Sequence, residues 1–256
     1  MSDVNPEKLL PGHTPEPRHT LSGKLKNLYV WRAPDGVLML REVLQDKDQT
    51  REVIEFNCSQ WGYEVDQMAP RTTEERVQFG KDAFQKQLRV LEPALLEDGS
   101  VVFPYLENSE TMTLFLRKAS LEEATPRIQE LFMDLANAHS QGIVYGDRWP
   151  DNILIDADKG VVHIDFDLKL GEFGKELEVA QLMLYTLALG VGENDTSSSR
   201  YEDLVHDLMA RSPIKYDKVK VAHFLFTKIK MAPHYNHLQS IAERVVGRLG
   251  WSVASV

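Results

Sequence analysis

The stretch Tyr145-Gly146-Asp147-Arg148-Trp149-Pro150-Asp151-Asn152, continued by Ile153-Leu154-Ile155-Asp156 and then by His163-Ile164-Asp165-Phe166-Asp167, decides how this chain is read. An Asp stands five residues before an Asn, in a polar loop that runs into an apolar strand. A second short strand follows and ends in another acid. Phosphoryl transfer needs this supply of groups: one carboxylate for an attacking hydroxyl, and an amide with a second carboxylate for Mg²⁺. The plainer reading of the same residues is a polar turn between a helix and a β-hairpin.

Working outward, Pro126 suits the first turn of a helix that runs to about Ser140 and stops near Gly142. Its apolar face is Ile128, Leu131, Phe132, Leu135 and Ala138. Strands over about 152–156 and 161–165 flank the turn at 158–160. Further helices are predicted near 175–190, 200–211, 217–231 and 236–249. On the N-terminal side, residues 28–31 and 37–43 are β-prone runs around Pro34-Asp35-Gly36, which makes a hairpin. Arg51 to Asn57 reads as a third strand, Gln67 to Thr72 as loop. Thr73 to Leu91 reads as a helix with Val77, Phe84, Leu88 and Leu91 on one face and Thr72 or Thr73 as its cap. Val101 to Leu106 is a short strand, followed by a linker at 107–110. A strand-rich first part and a helix-rich second part predict an α+β fold of two lobes: a flexible extension at 1–20, a β-rich lobe at 21–106 and a helical lobe at 107–256.

Composition narrows the function classes. The 256 residues are 43% hydrophobic, enough for a sizeable core, and carry a formal net charge of −10. That excess of acid argues against a general binder of nucleic acid or anionic membrane. One cysteine, Cys58, allows no internal disulfide and fits a cytoplasmic setting. The start has no apolar h-region and predicts no signal peptide. The longest apolar run, Leu182 to Val191, is too short to span a bilayer. The basic run from Lys215 to Lys230 reads as an amphipathic helix with Val219, Phe224, Leu225 and Ile229 inside and a solvated basic face. The histidines His206, His223, His234 and His237 make no metal-ligand pattern with a Cys partner. His139 ends a helix, where local hydrogen bonding is the expected role.

The order of these motifs resembles the protein-kinase-like superfamily. "AHSQGIVYGDRWPDNILID" looks like its catalytic loop, and the Gly-Asp after Tyr145 is closer to small atypical kinases and to aminoglycoside or choline phosphotransferases. By position, the resemblance makes Asp147 the catalytic base and Asn152 and Asp165 ligands of Mg²⁺. Asp167, in place of the Gly of Asp-Phe-Gly, is either a further metal ligand or a solvent-facing acid. Tyr145 replaces a His and is expected to pack. Arg148 either contacts the transferred phosphate or pairs with an acid. "ELEVAQLMLYTL" resembles the buried helix whose acid braces the catalytic loop, here Glu178. Only 12 residues lie between Asp165 and Glu178, too few for a peptide-docking segment, which points to a small-molecule acceptor or a folded protein surface.

The N-terminal half is a looser match. "SGKLKNLYVW" resembles a degenerate glycine-rich loop that keeps Gly23, with Lys24 or Lys26 as sources of an ammonium for phosphate. "VLMLREV" resembles the strand carrying the nucleotide-binding lysine, with Arg41 at the lysine's place and Met39 lining the adenine pocket. Arg41 is not equivalent to Lys. No Glu stands at the helix register that would hold it: Phe84 and Gln85 are there, and Glu74 and Glu75 come early in the helix. "VFPYLEN" resembles the hinge, with Phe103, Tyr105, Leu106 and, from the far side, Leu154 around the base of ATP. The implied activity is ATP- and Mg²⁺-dependent phosphoryl transfer to a hydroxyl. The alternative is a pseudokinase that acts as a regulatory or scaffold partner.

Overall fold

A computed structural model describes residues 26–32, 38–44, 49–189 and 195–251. The predicted extension at 1–20, Gly23, Lys24, the Pro-Asp-Gly turn and the end of the apolar run past 189 lie outside the described residues. The two β-prone runs are β1 (Lys26–Arg32) and β2 (Leu38–Leu44), paired antiparallel so that Tyr29 faces Arg41. With β4 (Ala94–Leu95) and β5 (Val101–Pro104) they form one sheet in the order β1-β2-β5-β4.

The segment read as a third strand is instead helix α1 (Gln49–Trp61). The local Val-Ile-Glu-Phe run suggested a strand. Ile54, Cys58 and Trp61, spaced four and three apart, form a buried helical stripe, while Phe56 is 63% exposed. Tertiary burial at helical period wins over β-propensity. Part of the segment read as loop is β3 (Met68–Pro70), which precedes helix α2 (Thr73–Gln85). Thr72 caps α2 as one side of a capping box: its hydroxyl accepts from the Glu75 amide, and the Glu75 carboxylate accepts from the Thr72 amide. The helix stops six residues short of the predicted end. Gln87 takes a left-handed φ of 59° there, and Leu88, Val90 and Leu91 are buried beyond the helix instead. Phe84, expected inside, is 44% exposed. The inner face of α2 is Arg76, Val77, Gly80 and Ala83.

After β6 (Ser109–Thr111) and α3 (Met112–Leu116) comes the long helix α4 (Leu121–Ser140). It starts five residues before Pro126, because Ser120 and Glu123 form a second capping box. Pro126 therefore stands inside the helix and forfeits a single backbone bond. All five residues of the predicted apolar face of α4 are buried.

β7 (Ile153–Asp156) and β8 (Gly160–His163) form the predicted hairpin and join β6 in a three-stranded sheet. β9 (Leu168–Leu170) pairs with β3, which ties residues just after Asp167 to those just before α2. The remaining helices are α5 (Gly174–Leu189), α6 (Asp195–Arg211), α7 (Lys218–Met231) and α8 (Gln239–Arg248). Helix α1 packs on α7, so Trp61 and Tyr63 share the core built by the C-terminal helices. The molecule is thus α+β, with small antiparallel sheets and a helical remainder. Among the described residues no helix is long and apolar enough to cross a membrane.

Candidate active site

The loop after α4 is shaped by one glycine. Gly146 has φ 118°, and a Cβ there would lie 2.4 Å from the carbonyl oxygen of Leu168 in β9. Only glycine permits that approach. Its amide donates to Glu178 Oε1 at 2.5 Å, and the other Glu178 oxygen lies 2.7 Å from His139 Nε2. Glu178, wholly buried on α5, thus anchors the end of α4 and the start of the loop together. His139 also meets the Tyr216 hydroxyl, so its role is to hold structure. Tyr145 packs as expected: it is fully buried, stacks on His163 at 4.2 Å and donates to Asp134.

Asp147 is held from both sides. Gln181 on α5 donates to its Oδ1 at 2.8 Å and accepts from the Arg148 amide. Asn152 donates through Nδ2 to the Asp147 carbonyl at 3.0 Å, which leaves Asn152 Oδ1 free of that bond. The Asn152 carbonyl in turn accepts from the Ile164 amide. Burial pushes the Asp147 carboxyl up from 3.8 to about 7, against the pull of the Arg148 guanidinium and the Gln181 amide, and the charge of Asp165 adds to the rise.

Arg148 joins the two acid-bearing segments. It is fully buried and donates to the carbonyls of Ile164 and, at 2.8 Å, of Asp165. Its guanidinium lies 5.4 Å from the Tyr145 ring centroid and 5.5 Å from that of Phe166. Its hydrogen bonds go to backbone carbonyls and to His163 Nδ1, while the acids Glu178, Asp147 and Asp165 act on it through their charge. Asp165 has a φ of 60°, costly for a side chain other than glycine, and the Arg148 bond to its carbonyl helps to hold it there. Phe166 is buried against Tyr145 and Phe79. From the other side Arg71, just past β3, donates to the carbonyls of Tyr145, Phe166 and Leu168. The loop and the Asp165 segment are thus locked by two arginines that bond to backbone.

The strand-to-helix ion pair has the reverse polarity of the one that the family resemblance implies. Glu42 of β2 pairs with Arg76 of α2, and Arg76 Nε lies 2.5 Å from Asp167 Oδ1. Arg76 is 5% exposed and sits between two carboxylates. Asp167 is not an acid facing only solvent, as one reading had it. Its Oδ1 is committed to Arg76, and its carbonyl accepts from the Arg71 amide. Glu75, one of the acids weighed as a helix partner for Arg41, belongs to the capping box. Arg41 itself stands in β2 opposite Tyr29 and Val102.

The residues read as a base pocket lie in the two larger sheets and in the segment between β5 and β6. Met39 is in register with Pro104, and Leu40 with Phe103. Met39, Phe103, Tyr105 and Leu106 are half-buried, and the Leu106 carbonyl accepts from Ser109. Leu154, half-buried between the buried Ile153 and Ile155, stands opposite Thr111 and Val162.

Among the described residues no three His, Cys, Asp or Glu side chains gather into a metal cage. Mg²⁺ does not require one, since it binds through one or two carboxylates and substrate phosphates. An amide oxygen and one strained acid, beside a second acid with a raised pKa, suit that mode of binding.

Lys228 departs from the sequence reading. The basic run was read as solvated, yet Lys228 is 5% exposed and its ammonium lies 5.0 Å from the Trp149 ring centroid. Val219, read as inside, is 44% exposed. The register is legible in hindsight: Lys228 follows Leu225 by three positions and Val221 by seven, both buried.

Comparison with known proteins adds one relation. The sequence matches no family model. The serine/threonine-protein kinase cds1 of Schizosaccharomyces pombe is 32% identical to this chain over 76 residues, which make up 29% of this chain. The aligned part is 15% of that kinase's length. This supports a distant kinase-like relationship.

Proposed function

We propose that this chain is a phosphotransferase with a two-lobed kinase-like fold that moves the γ-phosphoryl group of ATP to a hydroxyl. The observation that carries the reading is the binding of the Asp147–Asn152 loop to the Asp165 segment through Arg148. In the step, the acceptor oxygen bonds to the γ-phosphorus as the bond from that phosphorus to its bridging oxygen breaks. The electron pair leaves with ADP, and the acceptor's proton passes to Asp147. Gln181 fixes the carboxylate that receives it. Bound Mg²⁺ supplies neutralisation of phosphate charge. Asn152 and Asp165 would hold it, with Asp167 as a further candidate donor. Arg41, with Lys24 or Lys26, would position the phosphates. Met39, Phe103, Tyr105, Leu106 and Leu154 would enclose the base. Positioning and electrostatics account for most of such a rate enhancement.

The kinase-like relative supports the reaction class, and the chain covers a small part of that protein, so its acceptor is not carried over. The test is turnover of labelled ATP against pooled metabolites and proteins, wild type beside Asp165→Ala. Transfer by the wild type that disappears in the variant is the expected result. Stabilisation by MgATP with no transfer to any acceptor would overturn the reading in favour of a nucleotide-binding regulatory protein.

A further inference from the structure

Two residues beyond Asp147, the Trp149 indole is surrounded by three buried donors, two of which lack acceptors. Lys228 on α7 is nearly inaccessible, yet its ammonium donates only to the neutral Gln60 Oε1, at 3.3 Å. It forms no ion pair among the described residues. It also lies by the Trp149 and Trp61 rings, with centroids at 5.0 and 5.4 Å, and the charge of Asp147 reaches it without an ion-pair contact. Trp61 Nε1 is buried without a partner, and its ring lies 6.2 Å from that of Trp149. The Tyr185 hydroxyl is also buried without a partner, on a ring 5.1 Å from Trp149. Buried polar groups are nearly always satisfied, so two unpartnered donors beside an ammonium with one long bond to a neutral amide point to an absent acceptor. A buried ammonium in particular calls for an anion. The wall nearest Asp147 is in touch with solvent, since Asp147, Trp149 and Gln60 are only half-buried.

We propose that Lys228, Trp61 and Tyr185 around Trp149 form the acceptor subsite, and that it binds the anionic group, carboxylate or phosphate, of a small hydroxyl compound. The inference rests on the phosphotransferase reading, because it places the acceptor's hydroxyl at Asp147. It adds what the acceptor must carry. An anion there accepts from the ammonium, the indole N–H and the phenol together, and the rings shield it from water. A neutral polyol would leave the ammonium unpaired, and a cationic amine would be repelled by it.

Titration of the full chain, followed by tryptophan fluorescence, tests this with four probes: inorganic phosphate, glycerol 3-phosphate, D-glycerate and glycerol. The expected result is a saturable response to glycerol 3-phosphate or to D-glycerate and none to glycerol. Whichever of the two binds identifies phosphate or carboxylate as the preferred group, and inorganic phosphate competes in the first case. Lys228→Met should weaken that binding at least tenfold. Tyr185→Phe, which removes a single oxygen and keeps the ring, should weaken it severalfold with an unchanged circular dichroism spectrum. No saturable response to any anion, equal binding of glycerol, or full affinity in both variants would overturn the proposal. MgATP stabilisation is measured on the same samples. If it is absent while anion binding persists, the phosphotransferase reading fails and the anion site stands. If labelled phosphate reaches neutral acceptors as readily in Lys228→Met as in wild type, the anion subsite fails and the phosphotransferase reading stands.

Discussion

The loop at 145–167 and the β2–α2 contact differ in how they are specified. In the loop, chemistry and backbone are encoded together within a few residues: Gly146 permits a close approach to β9, Asp147 follows it, and Asn152 closes the turn by bonding back to the Asp147 carbonyl. At the β2–α2 contact the charges are joined across 34 residues and then across a further 91, in a Glu42–Arg76–Asp167 bridge that no local pattern announces. A local motif can be read from a short stretch of sequence, whereas a charge network across distant segments cannot.

Substitutions can sharpen that contrast, starting with the largest expected effect. Asp147→Asn should lower turnover by about 10³-fold or more, the range in which a positioned base and its electrostatics act together. The same change should stabilise the protein at pH 8. The raised Asp147 pKa means that the folded state holds a proton that the unfolded state has released between pH 3.8 and about 7. Stability from this group is therefore present at low pH and lost as pH rises through that window. Removing the charge should recover about 1–2 kcal/mol at pH 8 and little at pH 4, measured by urea unfolding. Loss of activity with gain of stability would separate the loop's chemistry from its scaffolding.

Next in size is the bridge. Arg76→Leu removes the cation that Glu42 and Asp167 share and should cost about 3 kcal/mol in urea unfolding. If the bridge is only a frame, the triple neutral variant Glu42→Gln, Arg76→Leu, Asp167→Asn should regain much of that stability. A third effect is the pH profile: kcat/KM for ATP turnover should fall below about pH 7 as Asp147 takes up its proton, and that limb should vanish in Asp147→Asn. The smallest effect is expected at Phe84→Ala, about 0.5 kcal/mol or less, because that ring is largely exposed. A loss of several kcal/mol there would show that the inner face of α2 has been misassigned.

Much of the fold was legible because apolar spacing and turn residues are local. The β1–β2 pairing, the β7–β8 hairpin and the helices after 174 follow from them. The failures have physical causes. Arg51 to Asn57 looked like a strand because the β-branched run outweighed a helical stripe that becomes visible only once Trp61 is known to be buried. The end of α2 was missed because Gln87, and no glycine, adopts the left-handed turn. The start of α4 was missed because Pro126 suggested a first turn, while the Ser120–Glu123 capping box set it earlier. In the site, Asp147, Asn152, Asp165 and Glu178 could be singled out by type and spacing. Arg71, Arg76, Arg148 and Lys228 could not be assigned their roles: charged residues are expected outside, and their partners are backbone carbonyls, distant acids or aromatic rings.

The account stands on residues 147, 152 and 165 serving one metal–nucleotide complex. The most direct measurement is the binding of ATP by calorimetry with and without Mg²⁺, in wild type and Asp165→Ala. The account predicts tight binding by the wild type only when Mg²⁺ is present, and at least a tenfold loss in the variant. Equal binding by both proteins, or binding indifferent to Mg²⁺, would contradict it.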